Sequence, residues 1–293
     1  MSQRTIILHY HIYKNAGTSF DHVLSHNFGD RHESFDGPYP FFSIDQEQLD
    51  RIILRRPAAV AFSSHQITLP PPSSLDYRPL SAIFVRNPFL RIASIYRFKR
   101  GPDADDGTPL AHLPREERVR VLEARGEYVE LADSLDTTST AEAARQHDFA
   151  GWLDHCLSTP SEIVHVSNAQ TRFFSGVPRS RPLLRRGPSG LNYDLSTALR
   201  TLAGVELLGR TEAFEADVAR FADILAGFGL PLALPDDTRK NVTDNHGQTT
   251  DARVEALLGA LPPALRRRIE AANAQDMMLY DRAVALIEKD HRP

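Results

Sequence analysis

The opening segment from Arg4 to Ser19, RTIILHYHIYKNAGTS, constrains the fold more than any other part of the chain. It starts with a short continuous run of β-branched and apolar residues, Arg4 to His9. A run of that length without alternation predicts a strand buried on both faces, the pattern of a parallel sheet. A turn containing Ala16 and Gly17 follows. The next stretch, TSFDHVLSHNF, places Phe20, Val23, Leu24 and Phe28 on one side of a helix.

Further strands are predicted over Ala58 to Ser63, Leu80 to Arg86 and Val205 to Gly209. Asn87-Pro88 opens a helix directly after the third, because a proline in a first turn forfeits no helical hydrogen bond. Another helix runs from about Glu212 to Phe228. Strands alternating with helices predict an α/β fold, P-loop-like and three-layered, with a central, mainly parallel sheet flanked by helices. The 293 residues suit one domain, residues 1–293. Its composition shifts at about 101–147, which reads as a helical insertion over the sheet edge, and 251–290 reads as helical, with Pro262-Pro263 separating two helices. The stretch Val177 to Gly190, rich in Arg, Pro and Gly, reads as an irregular loop.

Composition narrows the function classes. The net charge of -4 argues against a nucleic-acid binder, although an acidic chain can carry a local basic cleft. Cys156 is the only cysteine, so no internal disulfide forms; it falls in an apolar stretch and reads as a small buried hydrophobe. The N-terminus lacks the h-region of a signal peptide, and no run reaches the roughly 18 to 20 apolar residues that span a bilayer. The expectation is a cytoplasmic protein with no membrane span.

The segment HIYKNAGTS, His11 to Ser19, lies between a strand and a helix. Backbone N–H groups at a helix N-terminus, small residues and a lysine together make an anion site. The spacing is not that of a nucleoside-triphosphate loop, since Lys14 precedes Gly17. The plain alternative is a tight turn capped by Thr18. A second segment, FVRNPFLRIASIY, puts Arg86 at the C-terminal end of a strand, where open α/β sheets bind ligands, and Ser94 two turns into the next helix. Here the plain alternative is a structural ion pair and a surface serine.

Taken together, the two segments resemble the cofactor-binding motifs of sulfotransferases that use 3′-phosphoadenosine-5′-phosphosulfate (PAPS). The resemblance is to the branch holding bacterial sulfotransferases and glycan sulfotransferases of the heparan 2-O type. HIYKNAGTS is similar to that family's H-x-P-K-T/N-x-G-T-S, with Tyr13 where proline is usual. RNPFLRIASIY is similar to R-D/N-P-x-x-R-x-x-S-x-Y at Arg86, Pro88, Arg91, Ser94 and Tyr96. The resemblance implies that Lys14, Asn15, Ala16, Gly17, Thr18 and Ser19 hold the 5′-phosphosulfate, that Lys14 also neutralises charge during transfer, and that Arg86 and Ser94 hold the 3′-phosphate. Weaker similarity in NAQTRFFSG, VELLGRTEAFEADVARF and KNVTDN adds Arg172, Lys240 and Asn241 as nucleotide or acceptor contacts. The similarity spans about residues 3–245, and the 101–147 insertion has no counterpart in it.

Sulfuryl transfer to an alcohol needs a base, a stabilised leaving group and in-line positioning, and requires no metal. His65 follows the second predicted strand and so faces the same cleft as Lys14 and Arg86. Its ordinary pKa of about 6.5 suits the task, and family members resembling this chain often place a histidine base there. Glu33 and Asp36 are alternative bases, and His9 with His11 forms a metal pair only if a third ligand exists. The implied acceptor is a hydroxyl on a glycan, a lipid, a small metabolite or a peptide tyrosine, and no signature names it or the oligomeric state. Arg172, Arg179, Arg181, Arg185 and Arg186 form either a basic lip for an anionic acceptor or a solubilising loop. Two other readings stand beside this one: a kinase with a deviant phosphate loop using Mg²⁺ and ATP, and a non-catalytic module binding an adenosine bisphosphate.

Overall fold

The computed structural model describes residues 3–37, 43–101, 114–124, 140–159, 162–177, 186–187, 190–236 and 247–290. Strand β1 (Arg4–Tyr10) runs through a loop into helix α1 (Gly17–Phe28), then to β2 (His32–Ser34), α2 (Gln46–Leu54), β3 (Ala61–Ser64) and β4 (Tyr77–Val85). Helix α3 (Pro88–Arg100) follows, with α4 (Arg115–Ala124), α5 (Thr140–Gln146), α6 (Phe149–Ser158), α7 (Ile163–Val166) and α8 (Ala169–Phe174). A short antiparallel pair, β5 (Arg186–Gly187) and β6 (Gly190–Leu191), precedes α9 (Leu195–Ala203), β7 (Leu207–Arg210) and α10 (Phe214–Ala226). Three helices end the chain: α11 (Thr250–Gly259), α12 (Pro263–Ala272) and α13 (Ala274–Asp290).

Five strands form one sheet in the order β2-β3-β1-β4-β7, and every pairing in it is parallel. The continuous apolar run of β1 follows from its place: it is the central strand, and Ile6 to Tyr10 are all buried. Alternate residues face opposite layers. Ile7 joins Phe20, Leu24, Phe84 and Phe221 under α1 and α10. Ile6 and Leu8 join Ile53, Phe62, Leu202 and Leu279 under α2, α9 and α13. The result is the three-layer α/β fold expected, with a sheet that is wholly rather than mainly parallel.

Four strands were legible as apolar runs. The fifth, β2, is three polar residues at the sheet edge, too short and too hydrophilic to register as a period. Of the insertion, α5 packs against α3, with Ala143 and Ala144 in a cluster shared with Ile92, Ile95 and Trp152, while 102–113 and 125–139 lie outside the described residues. Pro262-Pro263 does separate α11 from α12, and a second break falls at Asn273, whose side chain donates to the carbonyls of Val166 and Ile269. Among the described residues, no helix is long and apolar enough to cross a membrane.

β2 and β3 lie on one side of β1, and β4 and β7 on the other, so strand order reverses at β1. Open α/β sheets bind ligands at the C-terminal end of such a reversal. A buried polar junction fixes that end. Asp276 of α13 accepts from the Gln170 and Thr171 amides at 3.1 and 2.6 Å and from Thr171 Oγ1 at 2.7 Å. Gln170 then bonds the loop after β1 and the residue after β4. Asp276→Ala leaves three buried donors without an acceptor, at about 1–3 kcal/mol each. The expected outcome is a loss of about 3 kcal/mol or more in urea unfolding, with a smaller loss for Asp276→Asn, which keeps one acceptor oxygen.

Candidate functional site

The loop from His11 to Ala16 departs from ordinary backbone geometry. Lys14 and Ala16 both take left-handed conformations, with φ of 65° and 60°. Such non-glycine residues cost about 1–3 kcal/mol each and persist only where the surroundings over-determine them. Here four side chains hold the loop. Asn15 is buried and donates to Phe84 O at 2.9 Å and Gln170 Oε1 at 2.7 Å. Arg86 Nη1 donates to Lys14 O at 2.9 Å, and Arg91 Nε to Tyr13 O at 3.1 Å. Gln170 closes the junction on both backbone groups of Arg86, accepting from N at 3.0 Å and donating to O at 2.8 Å.

Helix α1 begins on this loop without a side-chain cap, so Thr18 does not play the capping role the plain reading gave it. Asp45, Asn87, Asp148, Asp194 and Thr249 each cap their own helices. The first-turn N–H groups of α1, at Gly17, Thr18 and Ser19, therefore face the cleft with the positive end of the helix dipole.

Four cations gather on the β4 side. Lys14 is half-buried with Nζ 4.4 Å from the Phe98 ring centre, and burial plus the Arg86 and Arg97 charges lower its pKa. Arg86 is buried, and burial joined by the Arg97 and Arg253 charges outweighs the pull of Glu212, lowering its pKa to about 10. Its Nε is buried with no hydrogen-bond partner among the described residues. Arg97 is lowered by burial and by Arg253. Ser94 and Arg97 lie three apart on α3 and share a face. Like charges that depress one another in this way mark a site for an anion.

Imidazoles occupy the β3 side. A Cβ on Gly17 would lie 1.9 Å from His11 Cδ2, so glycine is required there by the His11 ring. Asp21, on α1, receives His9 Nδ1 at 2.7 Å and His11 Nδ1 at 2.9 Å. Burial raises the Asp21 pKa, but its histidine partners outweigh this and hold it below the usual carboxylate range. Burial pushes His11 down to about 4, so His11 is neutral near pH 7. Its ring stacks on His65, with centroids 3.7 Å apart.

His65 Nδ1 meets Asp36 Oδ2 at 3.0 Å, while Asp36 Oδ1 accepts from His65 N at 2.9 Å and Ser64 Oγ at 2.8 Å. Burial opposes ionisation of Asp36, but these hydrogen bonds prevail and lower its pKa. A carboxylate on Nδ1–H directs the Nε2 lone pair away from itself, the arrangement of an oriented general base. Asp36, weighed as a base from the sequence, is the carboxylate that holds His65 Nδ1. Glu33 instead pairs with Arg56 at 3.2 Å. Among the described residues, no group of three or more His, Cys, Asp or Glu side chains is arranged to hold a metal ion.

His65 also lines a cleft with Ile12, Ile67, Arg91, Arg172 and Phe173. Lys14, Asn15, Ala16, Gly17, Thr18, Ser19, Arg86 and His65 thus lie at the C-terminal ends of β1, β3 and β4, Arg172 lines the cleft beside His65, and Ser94 lies on α3. Lys240, Asn241, Arg179, Arg181 and Arg185 lie outside the described residues. The sequence reading missed Asp21, Arg97, Gln170, Arg253 and Asp276. Only Asp21 carried a signal, standing four residues after Gly17 and so on the same face of α1.

His11 gives the fold a pH dependence. Its folded pKa of about 4 lies below the free value of about 6.5, so the unfolded chain takes up the proton first. Its contribution to stability is complete above about pH 6.5 and disappears as pH falls toward about 4. Urea unfolding at pH 7, 5.5 and 4.5 is expected to show that decline, with a shallower decline in His11→Gln.

No protein-family model matches the chain. It is similar to an uncharacterized protein of Archaeoglobus fulgidus, 25% identical over 290 residues, which cover 98% of each chain.

Proposed function

We propose that this protein is a sulfotransferase that moves the sulfuryl group of PAPS to an acceptor hydroxyl. The observation that carries the proposal is one chain of contacts: Gly17 of the loop packs on His11, His11 stacks on His65, and Asp36 holds His65. It sets a carboxylate-oriented imidazole beside an uncapped helix start and a cluster of cations. Both requirements of the chemistry, holding a polyanion and accepting a proton, are met within one set of packed residues. The resemblance of HIYKNAGTS and RNPFLRIASIY to the PAPS motifs supports the same reading.

The residues present fit a nucleoside bisphosphate donor. Arg86 carries a buried guanidinium nitrogen without a partner among the described residues, Arg97 is near enough to act on its charge, and Ser94 is one helical turn from Arg97 on α3. PAPS supplies, when bound, the sulfuryl group and the bisphosphate that leaves with the electron pair of the broken S–O bond. Lys14 and the first-turn amides of α1 stabilise the charge on the 5′ side. Arg86, Ser94, Arg97 and Arg253 hold the 3′ side. His65 Nε2 accepts the hydroxyl proton as the acceptor oxygen attacks, and Asp36 stabilises the imidazolium formed. Neutral His11 adds no charge against that proton transfer.

Calorimetric titration with 3′-phosphoadenosine-5′-phosphate (PAP), without metal, tests the donor site, with ATP and Mg²⁺ as the comparison. PAP is expected to bind far more tightly, and Arg86→Ala to lose about 10- to 100-fold in affinity, the worth of a charged hydrogen bond. Absence of PAP binding, or a preference for Mg-ATP, overturns the proposal in favour of a kinase. PAP binding without transfer to any hydroxyl favours a binding module. For the base, His65→Ala is expected to lower kcat by about 10²- to 10⁴-fold with unchanged PAP affinity. Asp36→Asn should lower kcat less, again at constant affinity; near wild-type turnover in His65→Ala would remove the base assignment.

A further inference from the structure

The cleft beside His65 has a composition that sulfuryl transfer alone does not require. Ile12, Ile67 and Phe173 are among its apolar residues, Ser43, Gln66 and Thr68 are neutral polar ones, and His65, Arg91 and Arg172 are its titratable and charged ones. No Asp or Glu is among the described residues that line it. The two guanidinium groups differ in how they are used. Arg91 is buried and spends Nε and Nη1 on the carbonyls of Tyr13 and His165, each at 3.1 Å. It is a structural strut in the cleft wall.

Arg172 sits on α8 between the cleft and the Asp276 junction. Burial lowers its pKa, against the pull of Tyr193 and Asp276. Asp276 has both oxygens engaged by Gln170 and Thr171. Among the described residues, no carboxylate forms an ion pair with Arg172. Arg172 is only partly buried and lines the cleft, where none of the described lining residues carries a negative charge. It comes from α8, whereas Arg86, Arg97 and Arg253 come from the end of β4, from α3 and from α11. The charge is therefore placed for a second anion, next to the base and against an apolar wall.

We infer that the acceptor is a small hydroxylated anion with an apolar body. Arg172 takes its carboxylate or other oxyanion, Ile12, Ile67 and Phe173 cover the body, and the hydroxyl is presented to Nε2 of His65. Arg172 is thereby the residue that sets acceptor specificity. A neutral acceptor of the same shape fills the apolar wall and leaves the guanidinium uncompensated. A cationic one adds repulsion from two arginines. This inference rests on the sulfotransferase reading and names the acceptor of the same site.

The test compares acceptors that differ only in charge, using radiolabelled PAPS and the full chain. Para-hydroxyphenylacetate, its methyl ester and tyramine form a phenol series; omega-hydroxydodecanoate and its methyl ester form an alkyl pair. The carboxylates are expected to exceed their esters in kcat/KM by about 10- to 100-fold, the worth of a charged hydrogen bond, with tyramine poorest. Arg172→Gln should erase that advantage, Arg172→Lys should keep part of it, and both should bind PAP as the wild type does, which also shows that they fold. Equal or better use of the esters overturns the inference, as does weaker PAP binding in Arg172→Gln, which would assign Arg172 to the donor. Transfer only to an anionic polysaccharide, or to none of the probes with PAP bound, overturns it too. If the wild type fails to bind PAP, the failure lies in the sulfotransferase reading, and the inference falls with it.

Discussion

The site depends on one buried amide. Gln170 accepts from Asn15 and from the backbone of Arg86, and returns a hydrogen bond to the Arg86 carbonyl. It ties the loop after β1 to the end of β4, and Asp276 holds it there from the C-terminal helix. Without such a tie, the left-handed backbone at Lys14 and Ala16 would relax, since neither residue has the freedom of glycine. The strained loop is thus stabilised by a hydrogen-bond network reaching residues more than a hundred positions away. Every donor and acceptor in such a network matters, because a half-satisfied buried network is worse than an apolar one.

The network divides the cleft into two electrostatic halves. On the β4 side, Lys14, Arg86, Arg97 and Arg253 repel one another. On the β3 side, Asp21 and Asp36 hold imidazoles. His11 stands between the halves, and its low pKa decides how they combine. Were it charged, it would stack a cation 3.7 Å from His65 and oppose proton uptake there. Kept neutral by burial, it works as a flat spacer between the loop glycine and His65. The requirement for glycine at position 17 is explained by this ring as well as by any approach of a ligand to the backbone.

How much of this the sequence disclosed follows from the range of each interaction. The central strand, the apolar face of α1 and the placement of Arg86 after β4 come from local patterns, and local patterns were legible. Cys156 was legible for the same reason: it is buried among apolar neighbours, and burial raises its thiol pKa. The edge strand β2 was not, because three polar residues carry no period. Gln170, Asp276 and Arg253 were not, because nothing near them in sequence shows that they meet β1 and β4. Asp36 was legible only as an alternative base in a polar segment, because its contact with His65 joins residues 29 apart in the chain.

The cation cluster is easier to understand as half of a complex than as a feature of the free protein. The chain as a whole is acidic, with a net charge of -4, so the clustering of Lys14, Arg86, Arg97 and Arg253 is local and opposes folding. The folded state accepts that cost, as it accepts the left-handed loop beside it. A polyanion in the cleft would reverse the sign of the first term by replacing repulsion among four cations with attraction, and would leave the second unchanged. Binding energy and stability would then be linked, with the bound anion stabilising the fold in proportion to its affinity. The His11 ring, neutral near pH 7 and stacked on His65, is as much a part of the proposed chemistry as the base itself.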